Sequence, residues 1–390
     1  MPQLKIAFVY DALYPYVIGG AERRYSALAD RLAVNHEVHS YSWTYWHRGD
    51  RRFGPGVHYH GVGAPSQFYG SDGRRRISEA LAFGLRLFPR LARTRFDVID
   101  CSSMPYLHIL SAQLCAKLTG AALIVTWYEY WGSYWRRYLP GLGLAGAAVE
   151  RASTLAGDIH VAISPYTARR LRASALGDVP VVVVPPGIDL QMLEAVQPEG
   201  EPSDVVFLGR LIPEKRVDLL LRALALLLPA YPKLRCTLVG DGPMRPELER
   251  LAARLGLGPA VTFAGFLDEQ AALKTLKGGK VCVLPSEREG FGLVVVESQA
   301  MGVPVVVVSS PESAASDLVE DGETGLTCEP KPDKLASAIG LLLDDVGLRK
   351  TIVANASESM KNYSWDSIVE RMEAVYSAAA GKRRSRGFNP

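Results

Sequence analysis

Residues 285–304 read PSEREGFGLVVVESQAMGVP, and this stretch carries most of the information about the fold. It follows an apolar run at residues 281–284, which predicts a buried strand, and it ends in a predicted helix. A strand, a glycine-punctuated loop and a helix in this order are typical of one unit of a parallel sheet. Gly290 and Gly292 allow the backbone to approach a ligand closely. The N–H groups at the start of the helix favour an anion there.

Two acidic residues flank this loop. Glu289 precedes the turn, and Glu297 lies eight residues later, about one turn into the predicted helix. At this spacing they face different parts of one ligand and do not form a close carboxylate pair. The alternative, a capped helix with two solvated glutamates, is disfavoured because the glycines, both acids and the strand-loop-helix context agree.

The chain on both sides of this stretch alternates short apolar runs with helical patterns. Strands are predicted in the second half at residues 205–208, 234–239, 261–264, 281–284 and 303–308. Strands are predicted in the first half at residues 5–10, 37–43, 98–101, 122–127, 159–163 and 181–184. Such alternation indicates right-handed βαβ units and parallel sheets covered on both faces. The sequence predicts an α/β protein with two doubly wound, Rossmann-like domains facing across a cleft, where ligands bind at the carboxyl ends of strands.

The predicted domain boundaries follow from breaks in this alternation. Residues 1–184 form an N-terminal domain, and the proline-, glycine- and acid-rich residues 185–203 form a linker. Residues 204–362 form a C-terminal domain, and residues 363–380 form a final amphipathic helix. Residues 381–390, GKRRSRGFNP, are predicted to be disordered because they are basic and have little to bury.

A second group of candidate residues follows the first strand of the C-terminal domain. Arg210 comes at the carboxyl end of that strand, and Lys215 is expected to start the next helix. Arginine offers a planar fork and lysine a point charge, so the pair suits a diphosphate. Surface charge on a loop is the alternative, and the Glu289–Glu297 motif weighs against it.

Two further glycine turns follow strands. Gly19 and Gly20 open a helix after the first strand, where backbone N–H groups can meet a phosphate or a sugar. The turn is not G-x-G-x-x-G, which argues against a nicotinamide or flavin site. Gly240, in V-G-D-G-P, either shapes a nucleotide pocket or forms an ordinary tight turn.

Five of the six tryptophans fall in two short stretches, YSWTYWH (41–47) and WYEYWGSYW (127–135). Flat apolar faces with polar tips suit stacking on a ring-shaped acceptor. Core packing is the alternative, but this many aromatics in two loops exceeds what anchoring needs. The acceptor-binding candidates are Trp43, Trp46, Tyr128, Glu129 and Trp131.

Composition excludes several classes of protein. The net charge of +3 is too small to indicate nucleic-acid binding. No apolar run is long enough to span a bilayer. The five cysteines lack a C-x-x-C pair, and we expect buried thiols in a reducing compartment, with no metal site. The first residues show no leader, so we expect a cytoplasmic protein.

Together these motifs resemble the family 4 retaining glycosyltransferases of the GT-B fold. The resemblance covers nearly the whole chain: the strand-Gly-Gly-helix start, P-x-G-I-D, G-R-x-x-x-x-K, V-G-D-G-P and E-G-F-G-L-x-x-x-E. The last of these is the paired-glutamate signature of the family and is highly specific.

The resemblance implies a role for each matching residue of the C-terminal domain. Glu289 would hold hydroxyls of the donor sugar, and Glu297 would bind the ribose of the nucleotide. Arg210 and Lys215 would bind the diphosphate. Backbone N–H groups would assist them, and these belong to Phe291, Gly292 and Leu293.

The resemblance also concerns the first domain. The Gly19–Gly20 loop would close on the phosphates, and the last helix would return to the first domain. One position departs from the family pattern, V-T-x-H-[DE], because Tyr128 stands where histidine is usual. A phenol can donate a hydrogen bond to a sugar hydroxyl but is a poor base at neutral pH.

These observations predict a retaining transfer of a hexose from a UDP- or GDP-sugar to a small-molecule acceptor, with the nucleotide sugar as co-substrate and no cofactor. The chain contains no Asp-x-Asp pair, so the cations replace a metal ion. Three alternatives stay open: coupling of a non-sugar cyclitol, epimerisation of a nucleotide sugar, and transfer to a lipid-linked acceptor. A non-catalytic sugar-binding protein is disfavoured because the whole cationic group is present.

Residues 74–96 bear on the lipid alternative. They carry seven arginines against Glu79, with Ile77, Leu81, Leu85 and Phe88 on one helical face. Such a helix can rest on an anionic membrane. The favoured expectation is that this stripe packs on its own sheet, as every βαβ unit requires, and that the acceptor is a small soluble molecule.

Overall fold

The computed structural model describes residues 2–47, 56–65, 68 and 75–385. The chain divides into two compact units. The first contains the chain up to Pro186 together with the segment from Trp365 onward, and the second is Gly187–Ser364. Each unit is an α/β domain built around a parallel sheet with its own apolar core.

The sheet of the first unit has seven parallel strands within the described residues. They are β1 (Lys5–Val9), β2 (Glu37–Ser42), β3 (Val57–Gly61), β4 (Val98–Ser102), β5 (Ala122–Trp127), β6 (Ile159–Ala162) and β7 (Val181–Val183). Their order is β3-β2-β1-β4-β5-β6-β7. Successive strands are added on one side of β1 up to β3 and on its other side from β4 onward. The boundary between β1 and β4 is therefore the topological switch point, at which ligands bind in doubly wound sheets.

Helices cover both faces of this sheet. They are α1 (Gly20–Leu32), α2 (Ile77–Leu91), α3 (Leu107–Thr119), α4 (Trp135–Tyr138), α5 (Gly143–Ser153) and α6 (Pro165–Ser174). Phe83 of α2 and Ile109 of α3 pack into the core on one face of the sheet. Leu28 of α1 packs into the core on the other face, together with the last helix of the chain.

The sheet of the second unit has six strands within the part of the chain that the structure describes. They are β8 (Ser203–Leu208), β9 (Cys236–Val239), β10 (Val261–Gly265), β11 (Gly279–Leu284), β13 (Val305–Val308) and β15 (Leu326–Cys328). Their order in the sheet is β10-β9-β8-β11-β13-β15. Two short strands, β12 (Arg288–Glu289) and β14 (Glu312–Ser313), pair separately. The long apolar runs of the central strands reflect burial on both faces.

The helices of the second unit connect these strands. They are α7 (Leu190–Ala195), α8 (Val217–Leu227), α9 (Arg245–Arg254), α10 (Glu269–Lys277), α11 (Leu293–Ala300), α12 (Pro332–Asp344) and α13 (Val346–Ser359). α8 buries one apolar side against α12 and the sheet. The predicted α/β fold with two Rossmann-like domains is confirmed.

The stretch predicted as a linker, residues 185–203, is not a plain connector. Asp189 caps α7 by accepting a hydrogen bond from the N–H of Met192 at 3.0 Å, and Leu193 is buried. The residues from Gly187 onward therefore belong to the second unit. The proline and acid content concealed this short capped helix.

The last helix, α14 (Trp365–Ser385), belongs to the first unit. The Tyr376 hydroxyl donates a hydrogen bond to the buried Asp100 carboxylate at 2.7 Å. The prediction that residues 381–390 are disordered is wrong for residues 381–385, which continue the helix. Arg383 pairs with Asp158 there, so its charge is neutralised by a partner. Residues 386–390 lie outside the described part.

Of the five cysteines, Cys328 is half-buried and the other four are buried; all are free thiols. No helix within the described residues is long and apolar enough to cross a membrane.

Candidate functional site

The loop after β11 is held in place by backbone contacts. Glu289 lies in β12, which pairs with β14, and its carbonyl accepts a hydrogen bond from the N–H of Ala314 at 2.9 Å. Gly292 has a φ of 106° at the residue before α11, a conformation that strains any residue with a Cβ. The glycine predicted from the motif is therefore required by the turn that starts α11.

Lys215 and Glu289 form an ion pair, and both side chains are largely buried. Lys215 ends a single turn of 3₁₀-helix after β8, and Glu289 follows β11. The two strands are neighbours in the sheet, so their carboxyl ends bring the loops together. The structure thus joins two residues that are separated by more than seventy positions in the sequence.

Arg210, Glu297 and Ser286 complete the polar groups of this edge. Arg210 is exposed directly after β8, and Glu297 is half-buried in α11. Ser286 follows β11; its hydroxyl is buried and has no hydrogen-bond partner among the described residues. A cation pair, a hydroxyl and a helix N-terminus at one sheet edge suit a multiply charged anion.

Phe291 and Leu293 flank Gly292. Phe291 is buried and packs on Tyr363, with ring centroids 5.9 Å apart, while Leu293 begins α11. The role predicted for Phe291 and Leu293 concerns only their backbone N–H groups, and it stays a prediction.

Gly240 has a structural explanation. A Cβ at this position would collide with the carbonyl oxygen of Gly209, and φ is 130°. Gly209 and Leu211 donate backbone hydrogen bonds to Val239 and Asp241, at 3.0 and 2.9 Å. Gly240 therefore allows the close approach of the two loops and so positions Arg210. This favours the tight-turn interpretation over direct donor binding.

In the first unit, Gly19 and Gly20 precede and open α1. Tyr128 follows β5, and its hydroxyl donates to the carbonyl of Ala21 at 3.4 Å, in the first turn of α1. The guanidinium of the buried Arg24 lies 6.0 Å from the centre of the Tyr128 ring. Burial raises the pKa of Tyr128 above its usual value, so the phenol stays protonated and acts as a donor.

A buried charged group was missed by sequence analysis. Asp11 lies two residues after β1 and forms an ion pair with Arg75, whose Nη2 also lies 3.5 Å from Glu79. Asp11 is fully buried, and its Oδ1 has no hydrogen-bond partner among the described residues. Burial raises the pKa of Asp11 to about 7, opposed by the nearby Arg75. The signal available in the sequence for this buried carboxylate was an acidic residue immediately after the strand predicted at residues 5–10.

An aromatic pocket of about 370 Å³ lies within the first unit. Trp131, Trp135 and Tyr138 line it, together with Tyr106 and Arg75. A pocket of this size and character accepts a ring-sized apolar or amphipathic group.

Glu150 holds the Trp131 loop in place. Its carboxylate accepts hydrogen bonds from the N–H groups of Trp131 and Gly132 and from the hydroxyl of Tyr106, each at 2.7 Å. Burial raises the pKa of Glu150, which the three donors oppose. Glu129 accepts a hydrogen bond from Trp131 Nε1 at 2.8 Å. Glu150 is therefore a positioning residue that the sequence did not reveal.

The assignment of Trp43 to acceptor binding is wrong. Its ring is buried in the core beside Phe83, and its Nε1 donates to Glu79. Trp46 lines a separate groove of about 540 Å³ with Tyr59 and Arg93. The two aromatic stretches therefore do not form one acceptor surface. Trp43 was misassigned because it directly follows β2 and faces its covered side.

One group within the described residues has the composition of a metal site: Glu37, His39 and His58 on adjacent strands β2 and β3. His39 also hydrogen-bonds to His60 at 2.8 Å and to Glu37 at 2.9 Å, so both of its ring nitrogens have a partner without an ion. The prediction named no metal residues. The alternation E-x-H and H-x-H on two strands was the signal for this cluster.

The chain matches two family models in succession. One, described as Glycosyltransferase Family 4, matches residues 18–192, and the other, described as Glycosyl transferases group 1, matches residues 192–359. These ranges include every residue predicted for the site. The D-inositol 3-phosphate glycosyltransferase of Acidothermus cellulolyticus is 34% identical over 258 residues, which are 61% of this chain and 57% of that relative. The match thus covers little more than half of the relative's length.

Solved structures share the fold. The sucrose-phosphate synthase of Thermosynechococcus elongatus superposes with a TM-score of 0.80 at 21% identity and covers 96% of this chain and 99% of its own. HepE of Anabaena, solved in complex with UDP, superposes with a TM-score of 0.74 at 19% identity, covering 96% and 100%. With the two family models, the paired-glutamate loop and the two doubly wound sheets, the chain belongs to the family 4 glycosyltransferases of the GT-B fold.

Proposed function

We propose that this protein transfers a hexose from a nucleoside diphosphate donor, a UDP- or GDP-sugar, to an acceptor with retention of configuration. The observation that carries the proposal is the ion pair between Lys215 and Glu289, which joins the loops after β8 and β11. It places a cation and an acid beside the N-terminus of α11. In the proposal these groups hold the diphosphate and the sugar of the donor.

Each group has a distinct role in this proposal. Arg210 and Lys215 bind the diphosphate, assisted by the N–H groups of Phe291, Gly292 and Leu293. Glu297 binds the ribose. Glu289 accepts hydrogen bonds from the sugar hydroxyls and, in the free protein, neutralises Lys215.

Breaking the glycosyl–phosphate bond places negative charge on the leaving diphosphate and positive charge on the sugar. The cations and the helix N-terminus are fixed before the reaction, so they stabilise the developing anion without reorganisation. The acceptor hydroxyl attacks the face that the nucleotide leaves, and its proton passes to the leaving phosphate oxygen. No enzymic nucleophile and no metal ion takes part.

The acceptor in this proposal is a small molecule or a small acceptor group. Support comes from the ring-sized pocket lined by Trp131 and Tyr138, and from the name of the Acidothermus relative, which specifies an inositol phosphate acceptor. Tyr128 and Glu129 follow the same strand and stay acceptor-side candidates. The free cysteines fit a reducing cytoplasm.

The experiment is incubation of the protein with UDP- and GDP-sugars, with and without candidate acceptors such as inositol phosphates. Free nucleoside diphosphate that appears only with acceptor, together with a product of the donor's anomeric configuration by NMR, supports the proposal. Interconversion of the nucleotide sugar without acceptor supports an epimerase. Turnover with a nucleoside diphosphate cyclitol as donor, and none with the nucleotide sugars, supports the coupling alternative.

A further inference from the structure

The exposed side of α2 carries an apolar stripe. Ile77, Leu81 and Leu85 repeat every four residues and are 50 to 68% exposed. The helix instead buries Phe83 and Leu87 against the sheet. The expectation that the stripe packs on its own sheet is therefore wrong, because a second apolar side of the same helix fills that role.

The neighbouring helix repeats this arrangement. Leu110, Leu114 and Leu118 of α3 are also spaced by four residues and are about half exposed or more, while Ile109 and Cys115 face the core. α2 and α3 pack side by side. Two parallel exposed leucine stripes on adjacent helices far exceed the scattered apolar residues of an ordinary surface.

The aromatic pocket opens into this surface. Ile77 of α2, Leu142 just before α5 and Val149 of α5 line the pocket and are themselves exposed. Leu144 is exposed beside them. We call the exposed apolar residues of α2, α3 and residues 142–149 the apolar surface. The pocket mouth and the apolar surface are thus continuous.

The exposed charged side chains of the chain segment that forms the apolar surface have one sign. Between residues 75 and 156, all of them described, no aspartate or glutamate side chain is exposed. Eight basic side chains are exposed in the same range: Arg76, Arg86, Arg93, Arg95, Lys117, Arg136, Arg137 and Arg151. An apolar area with cations around it is complementary to the surface of an anionic bilayer.

We propose that this face of the first unit docks on an anionic lipid bilayer, with the leucine stripes in the interface and the basic side chains on the lipid head groups. Nucleic acid would not use exposed leucines. A second copy of the chain would bring eight cations against eight cations, which is unfavourable. Docking brings the pocket mouth to the lipid–water interface, so the small acceptor group comes from there.

The proposal goes beyond the transfer reaction, and its test does not depend on that reaction. The full chain is sedimented with vesicles of phosphatidylglycerol and phosphatidylcholine, or of phosphatidylcholine alone, at 0.15 M salt. We expect at least tenfold stronger partition onto the anionic vesicles, weakened at 0.5 M salt because screening shortens the range of the attraction. Equal partition onto both vesicles, or none, overturns the proposal.

Two variants separate the apolar and the charged contributions. Leu81→Ser, Leu85→Ser and Leu114→Ser together, or Arg93→Glu, Arg95→Glu and Lys117→Glu together, are each expected to reduce partition at least tenfold. Matched controls change exposed residues of the second unit: Leu226→Ser with Leu341→Ser, and Arg250→Glu, Arg254→Glu with Lys350→Glu. These controls should partition as the wild type does.

Further measurements make every outcome decisive. Circular dichroism and thermal midpoints verify that each variant is folded; all substituted positions are exposed. Unchanged UDP or GDP affinity in the variants separates docking from donor binding, so loss of either leaves the other measurable. A dimer in gel filtration that disappears with the leucine variant, without vesicle binding, would show that the surface binds a second copy and would overturn the proposal.

Discussion

Lys215 and Glu289 are paired across two loops of the second unit although neither is near the other in the sequence. The pair orients and neutralises the lysine charge, and in the proposed function the diphosphate of the donor takes over that neutralisation. Buried pairs of this kind leave an uncompensated charge when one member is removed. Substitution of Lys215 would leave an uncompensated negative charge, whereas substitution of Glu289 would leave an uncompensated positive charge, so the two variants should differ in their effects.

Glu289→Ala is expected to lower turnover more than donor affinity, because in the proposed function the carboxylate binds the reacting sugar and not the nucleotide. Loss of a charged hydrogen bond costs about 1.5–3 kcal/mol, or about ten- to a hundredfold. Steady-state rates and UDP or GDP titrations measure the two effects. Glu249→Ala, an exposed glutamate of α9, is the control. Unchanged turnover in Glu289→Ala would contradict the assignment.

Gly240→Ala is expected to destabilise the second unit, because the new Cβ collides with the carbonyl of Gly209 and φ is 130°. Strained backbone of this type costs about 1–3 kcal/mol. Gly258→Ala is the matched control, since nothing lies within 4 Å of its Cβ. Thermal unfolding should show a lower midpoint only for Gly240→Ala, and equal midpoints would refute the close approach.

Asp11 predicts a pH-dependent stability. Its pKa is about 7 in the fold and 3.8 as the ordinary value, so between pH 4 and 7 the folded state binds the extra proton. The stability contributed by this group is greatest below pH 4 and falls as the pH rises to 7, by at most about 1.4 kcal/mol per pH unit.

Asp11→Asn isolates the contribution of the Asp11 carboxyl to stability, because the other titrating groups are the same in the wild type and the variant. The advantage of the wild type over Asp11→Asn in thermal midpoint is expected to decrease from pH 5 to pH 8. A difference that is constant over this range would show that the carboxyl does not titrate there.

Activity is expected to persist in excess EDTA, because in the proposed function Arg210 and Lys215 neutralise the leaving diphosphate. Rates with EDTA alone and with EDTA overcome by magnesium or manganese measure this. Loss of activity that either ion restores would refute it. The thermal midpoint is followed in parallel, because a metal at Glu37, His39 and His58 would change stability and not the rate.

The fold and the position of the Glu289–Gly292 loop were predictable because they rest on local sequence. The strand before Pro285, the glycine turn and the helix from Leu293 are set by near neighbours, and the structure has them where predicted. Gly292 could be identified because its positive φ admits little else.

Other features depend on contacts between distant parts of the chain. Asp11 and Arg75 are 64 residues apart, and no local pattern indicates that they pair. Trp43 and Trp131 look alike in sequence, but one faces the core and the other a pocket. α2 has two apolar sides, and the sequence did not reveal which of them the sheet covers.

The most direct test of the account is calorimetric titration of UDP and GDP, with uridine and guanosine as controls, into wild type, Arg210→Ala, Glu297→Ala and Arg222→Ala. Arg222 is an exposed arginine of α8 in the same unit. We expect one binding site that requires the diphosphate, with affinity weakened about tenfold or more in the first two variants and unchanged in Arg222→Ala. Absence of diphosphate binding, or wild-type affinity in both Arg210→Ala and Glu297→Ala, would contradict it.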